Sequence, residues 1–342
     1  MSARMITSVE TFTNRYDEAA WAQALADLLP HIHEVDRTAT QMWFAFFPLS
    51  LLRALEEAED PDRLAQSLLL QGQYYLKDQI DSSHTFLYGH RYWPEVKKAV
   101  AQYAESASAP TDLNLASLIR EVAGQVATQL RVEPSLVTGI TAVALMTLRQ
   151  VGSDAFKAAP GAVLIDAKHA KKTPQQVMKK RAKDDSQGLL GFLKTTDKTW
   201  TVTFDENDDS KRFRMVHRQE IASAAATDLR DWSAIDERCT VDEGPIPVQC
   251  RSASCGTCWV GVLGGAEKLT DVSTREGRKM KEFGYIDTED PRPVIRLSCQ
   301  AQGTGAVSIV IPPWNGVFGK YLRRQKESGE DIESEAVAGA KA

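Results

Sequence analysis

Apolar residues recur at helical spacing from about residue 9 to residue 158, as in Trp21, Leu25, Leu28 and Leu29 and again in Leu118, Ile119, Val122 and Val126. This pattern predicts an all-α half of five or six helices. Its punctuation is Pro30, the Asp60-Pro61-Asp62 turn, the stretch from Ser106 to Pro110, and Glu133-Pro134-Ser135, where Pro134 suits a helix's first turn. The run from Met42 to Leu49 is aromatic and apolar around most of a helix. Its place is predicted in the core, with a partner or membrane interface as the other reading, and Pro48 should bend or begin a helix. Tyr74, Tyr75, Tyr88, Tyr92 and Trp93 invite the same two readings. The longest uncharged apolar stretch, Leu136 to Leu148, is shorter than the ~20 residues a membrane span needs.

Past Gly188-Leu189-Leu190-Gly191 the period falls to two. Trp200, Val202 and Phe204 alternate with Thr201 and Thr203, and Phe213, Met215 and His217 alternate with Arg214 and Val216. With Asn207 to Lys211 as turn residues, this predicts a β-hairpin, followed by an Ala-rich helix over Glu220 to Leu229. A strand is expected at Trp259 to Leu263 and a last one from Ala306 to Ile311, stopped by Pro312-Pro313. Between the halves, residues 166–185 carry seven Lys and Arg and hardly an apolar side chain. They read as a basic connector in which Thr173-Pro174-Gln175-Gln176 has the signature of a capping box, so a short helix is predicted. The sharper reading of those lysines is a dock for an acidic partner. The predicted organisation is a helical docking domain (1–160), a basic linker with a short helix (161–197), a second domain (198–320) and a disordered tail (321–342).

The chain's 342 residues, 43% of them hydrophobic, suffice for two cores. Its net charge of -5 gives no global basic field, which disfavours nucleic acid as a partner. The N-terminal MSARMITSVETF has no apolar core of a signal peptide, so a cytoplasmic location is expected.

Cysteine usage concentrates the chemistry. All five cysteines lie beyond residue 238, at Cys239, Cys250, Cys255, Cys258 and Cys299. An odd count and a dense trio argue against a disulfide framework and for a metal or redox site. The spacing is Cys250-x4-Cys255-x2-Cys258, with 40 residues before Cys299, the plant-type pattern for a 2Fe-2S cluster. Such a cluster needs four thiolates, because two ferric ions and two sulfides are net positive, and four sulfurs take the total to about -2 oxidised and about -3 reduced. Ser252, Ala253, Ser254, Gly256 and Thr257 are small enough to let backbone N–H groups approach the sulfurs.

Pro247-Val248-Gln249-Cys250-Arg251, Cys255-Gly256-Thr257-Cys258 and Arg296-Leu297-Ser298-Cys299-Gln300 together resemble the plant-type 2Fe-2S ferredoxin family and its bacterial relatives. The order of elements over about residues 198 to 313 is similar as well, and the N-terminal half resembles no family we can name. The resemblance implies a β-grasp ferredoxin-type domain holding a 2Fe-2S cluster, and with the all-α half read from the helical period the chain is expected to be α+β; no further cysteine cluster follows Cys299, so one cluster is expected. It implies Cys250, Cys255, Cys258 and Cys299 as ligands, the first pair on the iron nearer the surface, and a low potential near about -400 mV. Two departures stand out. Ala253 occupies a position that is usually glycine, so either its φ is negative or strain is tolerated there. The gap before Cys299 is about ten residues longer than usual, with Arg275 to Asp290 as the evident insertion.

Other readings of the thiols are weaker. Structural zinc usually takes paired C-x2-C knuckles, of which one is present, and a thioredoxin-like dithiol at Cys255 and Cys258 would open a helix rather than precede a strand. Cys239 reads as a spare thiol. In the helical half, His31, Glu34, His84 and His90, with Asp81 three residues before His84, could assemble a metal or haem site, although capping or surface histidines are the simpler reading. Neither G-x-G-x-x-G nor a Walker motif occurs, which argues against a nicotinamide or flavin site of the common kind. The expected function is an electron-transfer protein or subunit that serves a redox enzyme or reductase partner, as a carrier or within a larger oxidoreductase complex. Its alternative is an oxidoreductase whose helical domain holds the catalytic metal or haem and is fed by the cluster.

Overall fold

The computed structural model describes residues 11, 13–68, 74–106, 114–187, 198–236, 239, 244–246, 250–282 and 290–312. Gly188 to Gly191, Pro247 to Gln249, the tail 321–342 and much of Ser106 to Pro110 lie outside them. The chain forms two compact units, Met1–Glu57 with Tyr75–Arg181 and Glu206–Asp208, and Ala58–Tyr74 with Ala182–Asp205 and Asp209–Ala342.

The helical elements in chain order are α1 (Glu18–Leu28), α2 (Glu34–Phe46), α3 (Leu49–Glu57), α4 (Pro61–Ser67), α5 (Trp93–Ser106), α6 (Leu115–Leu130), α7 (Ser135–Val151), α8 (Ser153–Ala158), α9 (Ala167–Ala170) and α10 (Pro174–Lys180). The described residues before position 160 therefore hold more helices than five or six, for local reasons. Pro48 ends α2 and opens α3, Pro61 begins a helix inside what reads as a turn, and Gly152 at φ +81 splits α8 from α7. The capping box forms as expected, with Thr173 and Gln176 exchanging bonds at the head of α10.

The first unit is built around α7, which packs against α2, α5 and α6. Every residue from Val137 to Leu148 is buried, which is why this segment is apolar on all sides although too short for a membrane. No helix among the described residues is long and apolar enough to cross a membrane. Trp43, Phe46 and Phe47 are buried and pack on neighbouring rings, so the aromatic run is core, as are Tyr88 and Trp93.

A buried carboxylate ties α2 to the 3-10 helix Tyr88–Tyr92. Asp36 accepts from the N–H groups of Tyr88 (2.5 Å) and Gly89 (2.7 Å), and Gly89 lies so close to Ile140 that a Cβ there would sit 2.9 Å from its side chain. Burial pushes the Asp36 carboxyl up to about 6, against the pull of those two N–H groups and of Arg181 and Arg91.

The second unit carries a five-stranded mixed sheet in the order β2-β1-β5-β3-β4: β1 (Thr199–Thr203), β2 (Arg212–Val216), β3 (Trp259–Gly264), β4 (Ile295–Leu297) and β5 (Val307–Val310). The hairpin β1–β2 is antiparallel, β1 runs parallel to β5, and β3 is antiparallel to both β5 and β4. Alternation holds where one face is wet, with Phe213 and Met215 inward and Arg212, Arg214 and Val216 outward. The helix α11 (Ile221–Thr227) lies against β2, and its buried Ala222, Ala224 and Ala225 allow the close approach. The short α12 (Trp232–Ile235), capped by Asp231, adds Trp232 to a cluster with Phe204 and Phe213. Hairpin, helix and a central parallel pair are the arrangement expected of a β-grasp domain, and the chain as a whole is α+β.

A carboxyl harder to ionise in the folded state than in the unfolded one contributes most below about pH 4 and loses that contribution as pH rises through about 6. Asp36→Ala leaves two buried N–H donors unpaired and is expected to cost about 2–4 kcal/mol. The gap between variant and parent should be wider near about pH 4 than near about pH 7; urea melts of the full chain at both measure it.

Candidate functional site

Residues 250–258 form a loop that ends directly in β3. Pairing of β3 with β4 sets Trp259 opposite Leu297, so Cys258 and Cys299 fall at the same end of the ladder. Ser298 seals that end, donating from its N–H (3.0 Å) and its hydroxyl (2.8 Å) to the Cys258 carbonyl. Strand pairing thus closes the 40-residue gap. Cys258 and Cys299 are buried, whereas Cys250 and Cys255 are half-buried, and none of the four is in a disulfide.

The loop coils through left-handed conformations at Arg251 (φ +51), Ala253 (φ +58) and Gly256 (φ +61). Of the two possibilities at Ala253, the strained one holds, at about 1–2 kcal/mol. Its result is a set of inward N–H groups: Ser252 and Ser254 donate to Cys250 Sγ at 3.4 and 3.3 Å, and the Ala253 N–H is directed at Cys299. The Thr257 hydroxyl lies 3.2 Å from Cys255 Sγ.

The thiols perturb one another in pairs, Cys250 with Cys255 and Cys258 with Cys299, and Cys250 also acts on Cys299. Burial alone would raise the Cys250 thiol, but bonds from Ser254, Ser252 and Cys255 bring it down to about 5. Cys299 falls to about 7, first through the bond it shares with Cys258 and then, against burial, through Gln300 and the Ala253 N–H. Its partner is raised above the ordinary thiol range by that same bond and by burial. Among the described residues, no three His, Cys, Asp or Glu side chains gather around a single-ion position. Two thiol pairs with N–H dipoles aimed at them fit a two-iron group, which takes two sulfurs per iron.

Residues 234–303 match the 2Fe-2S iron-sulfur cluster binding domain. No curated protein and no solved structure matches the chain. The C-terminal region therefore carries a 2Fe-2S domain, and the four cysteines lie within the matched residues.

The 2Fe-2S domain anchors its return strand with a buried ion pair. Arg296, three residues before Cys299, donates from Nε and Nη2 to the two carboxylate oxygens of Glu276, both at 2.8 Å, and from Nη1 to the Thr270 carbonyl at 2.8 Å. Glu276 also accepts from the Leu297 N–H at 3.0 Å. Both side chains are almost wholly buried. Glu276 sits on α13 (Thr274–Glu282), within the insertion read from the long gap, so the extra segment contributes the counter-charge of the strand that leads to Cys299. Sequence reasoning missed this pair; the available signal was Arg296 itself, a charge inside the apolar run Val294-Ile295-Arg296-Leu297.

The histidines of the first unit are placed differently. His31 and Glu34 are exposed, while His84 and His90 are buried and meet, Nδ1 to Nδ1, at 2.9 Å. The Leu164 N–H donates to His90 Nε2 (2.9 Å), which leaves the His90 proton on Nδ1 facing His84 Nδ1, and His84 Nε2–H donates to the Ile80 carbonyl (3.1 Å). All four ring nitrogens are engaged. Burial keeps both rings neutral, His84 well below the ordinary range and His90 down to about 4, with Asp81 pulling the latter up and Arg91 down. Asp81 itself accepts from Trp93, Gly161 and Ala162. Cys239 is buried after α12 and is not in a disulfide.

Glu276→Ala, which strands the Arg296 charge, should destabilise the domain by about 3–5 kcal/mol. Pairing Glu276→Leu with Arg296→Met should recover part of this, short of full recovery because the Leu297 N–H and Thr270 carbonyl lose partners. Thermal and urea unfolding of the three proteins test both statements.

Proposed function

We propose that this chain is a one-electron carrier, or the electron-transfer subunit of an oxidoreductase, holding one plant-type 2Fe-2S cluster on Cys250, Cys255, Cys258 and Cys299. The observation that carries the reading is the meeting of two thiol pairs under N–H groups aimed at Cys250 and Cys299. A bound cluster supplies reversible uptake of a single electron, so no bond to a substrate has to form or break.

The chain's own groups do the rest. The N–H groups of Ser252, Ser254 and Ala253 stabilise negative sulfur and favour the reduced form. The greater exposure of Cys250 and Cys255 supports an outward-facing iron at that pair, where an electron would be exchanged with a protein partner. Buried Cys258 and Cys299, sealed by Ser298, would hold the inner one and keep water away. In this reading the helical residues 1–160 form a docking module, 161–197 a linker and 198–320 the electron-carrying domain, working in the cytoplasm. A catalytic metal or haem at His84 and His90 has little to support it, since their ring nitrogens are already bonded within the protein.

Anaerobically prepared protein should contain about two irons and about two acid-labile sulfides per chain. Dithionite reduction should produce a half-spin electron paramagnetic resonance signal at low temperature. Cys255→Ala should abolish the signal while leaving the helical unit folded by circular dichroism. Iron or haem retained in full by that variant would instead favour a second site in the helical unit.

A further inference from the structure

We infer that Gln300 is a positioning residue that sets the reduction potential of the site by fastening the cluster loop to the return segment and donating a hydrogen bond to the Cys299 sulfur. The inference rests on the cluster assignment proposed for the four cysteines. Its basis is the way the Gln300 side chain folds back. The backbone N–H of Gln300 donates to the Leu297 carbonyl at 2.8 Å, which fixes a tight turn through Cys299. From that turn the two Nε2 hydrogens are shared among three acceptors: the Cys299 carbonyl at 2.9 Å, Cys299 Sγ at 3.6 Å and, across 49 positions of sequence, the Arg251 carbonyl at 3.2 Å.

The Arg251 contact matters because it holds a strained stretch of the loop. Arg251 has a left-handed φ of +51, a conformation that costs an L-residue about 1–2 kcal/mol and persists only where its surroundings enforce it. The peptide whose carbonyl Gln300 holds is the one whose N–H, on Ser252, points at Cys250 Sγ. One amide therefore bears on both thiol pairs, orienting the donor to Cys250 at one end and supplying a donor to Cys299 at the other. Gln300 is half-buried and its contacts with Cys299 are partly shielded from water, while its bond to the Arg251 carbonyl lies at the surface. A donor at a ligand sulfur stabilises the more negative redox state more than the less negative one, and removing it makes reduction harder.

The test is redox titration of the full chain, monitored by the half-spin resonance signal, with iron and sulfide assayed in the same samples. Gln300→Met keeps the length and shape of the side chain without its donor. It should retain iron and sulfide while lowering the one-electron reduction equilibrium constant by roughly three- to tenfold. Gln300→Lys restores a donor and should bring the midpoint back to the parent value or above it. A parent midpoint in Gln300→Met overturns the inference, as does a Gln300→Lys midpoint no higher than that of Gln300→Met. Should Gln300→Met lose the cluster, its failure to bind iron alongside a Gln300→Lys protein that binds and titrates would support the fastening role, and loss in both at unchanged thermal stability would overturn the tuning role. A parent protein that takes up neither iron nor sulfide defeats the cluster assignment itself, a separate and recognisable result.

Discussion

Four sulfur atoms that repel one another once ionised are brought here to one loop and one strand end, in two pairs that perturb each other, and the architecture of the C-terminal unit answers that constraint. Crowded thiolates are tolerated only where positive ends of dipoles surround them or a cation joins them. The loop from 250 to 258 supplies the dipoles by turning left-handed at Arg251, Ala253 and Gly256, which rotates successive N–H groups inward. The rest of the sheet supplies the fourth sulfur. Cys299 reaches the loop because β4 is locked antiparallel to β3, and Ser298 fixes the last rung by donating twice to the Cys258 carbonyl.

Much of this is legible in the sequence because it depends on spacing alone. The three close cysteines, the small residues among them and the change from helical to two-residue period at about residue 199 are local signals, and they place the loop between a hairpin and a strand. Other features are hidden because they depend on partners remote in sequence. Nothing local says that Glu276 meets Arg296, or that His84 and His90 share a bond. The left-handed φ of Ala253 is not decided by the sequence either, since an alanine permits both outcomes and the choice is made by the fold of the loop around the cysteines. Local pattern also misplaces a helix boundary at Pro61, where Asp60 accepts from the Arg63 N–H and a motif that reads as a turn becomes a helix start.

Within the first unit the same economy of polar groups appears in a different form. Asp36 accepts from the first two N–H groups of the 3-10 helix Tyr88–Tyr92, which have no partner within that helix, and Asp81 and His90 accept from irregular segments at 161–162 and 164. Irregular backbone cannot satisfy itself, so buried side chains stand in for the missing helical carbonyls. That accounts for charged and imidazole side chains in an otherwise apolar core without invoking a site, and it explains why these residues look like ligands when read one at a time.

The Glu276–Arg296 pair shows why a costly interaction can sit beneath a redox loop. Apolar residues of similar volume would relieve the desolvation of two charges and could be as stable. They could not accept from the Leu297 N–H or donate to the Thr270 carbonyl, and those bonds are directional. β4 is only three residues long and holds few ladder bonds of its own, so an apolar contact would leave it able to slide along its neighbour. A slip by one residue would turn Cys299 away from Cys258. A bidentate pair with two further backbone contacts fixes α13, the segment at 270 and β4 in one register, and the position of the fourth sulfur is set by that register.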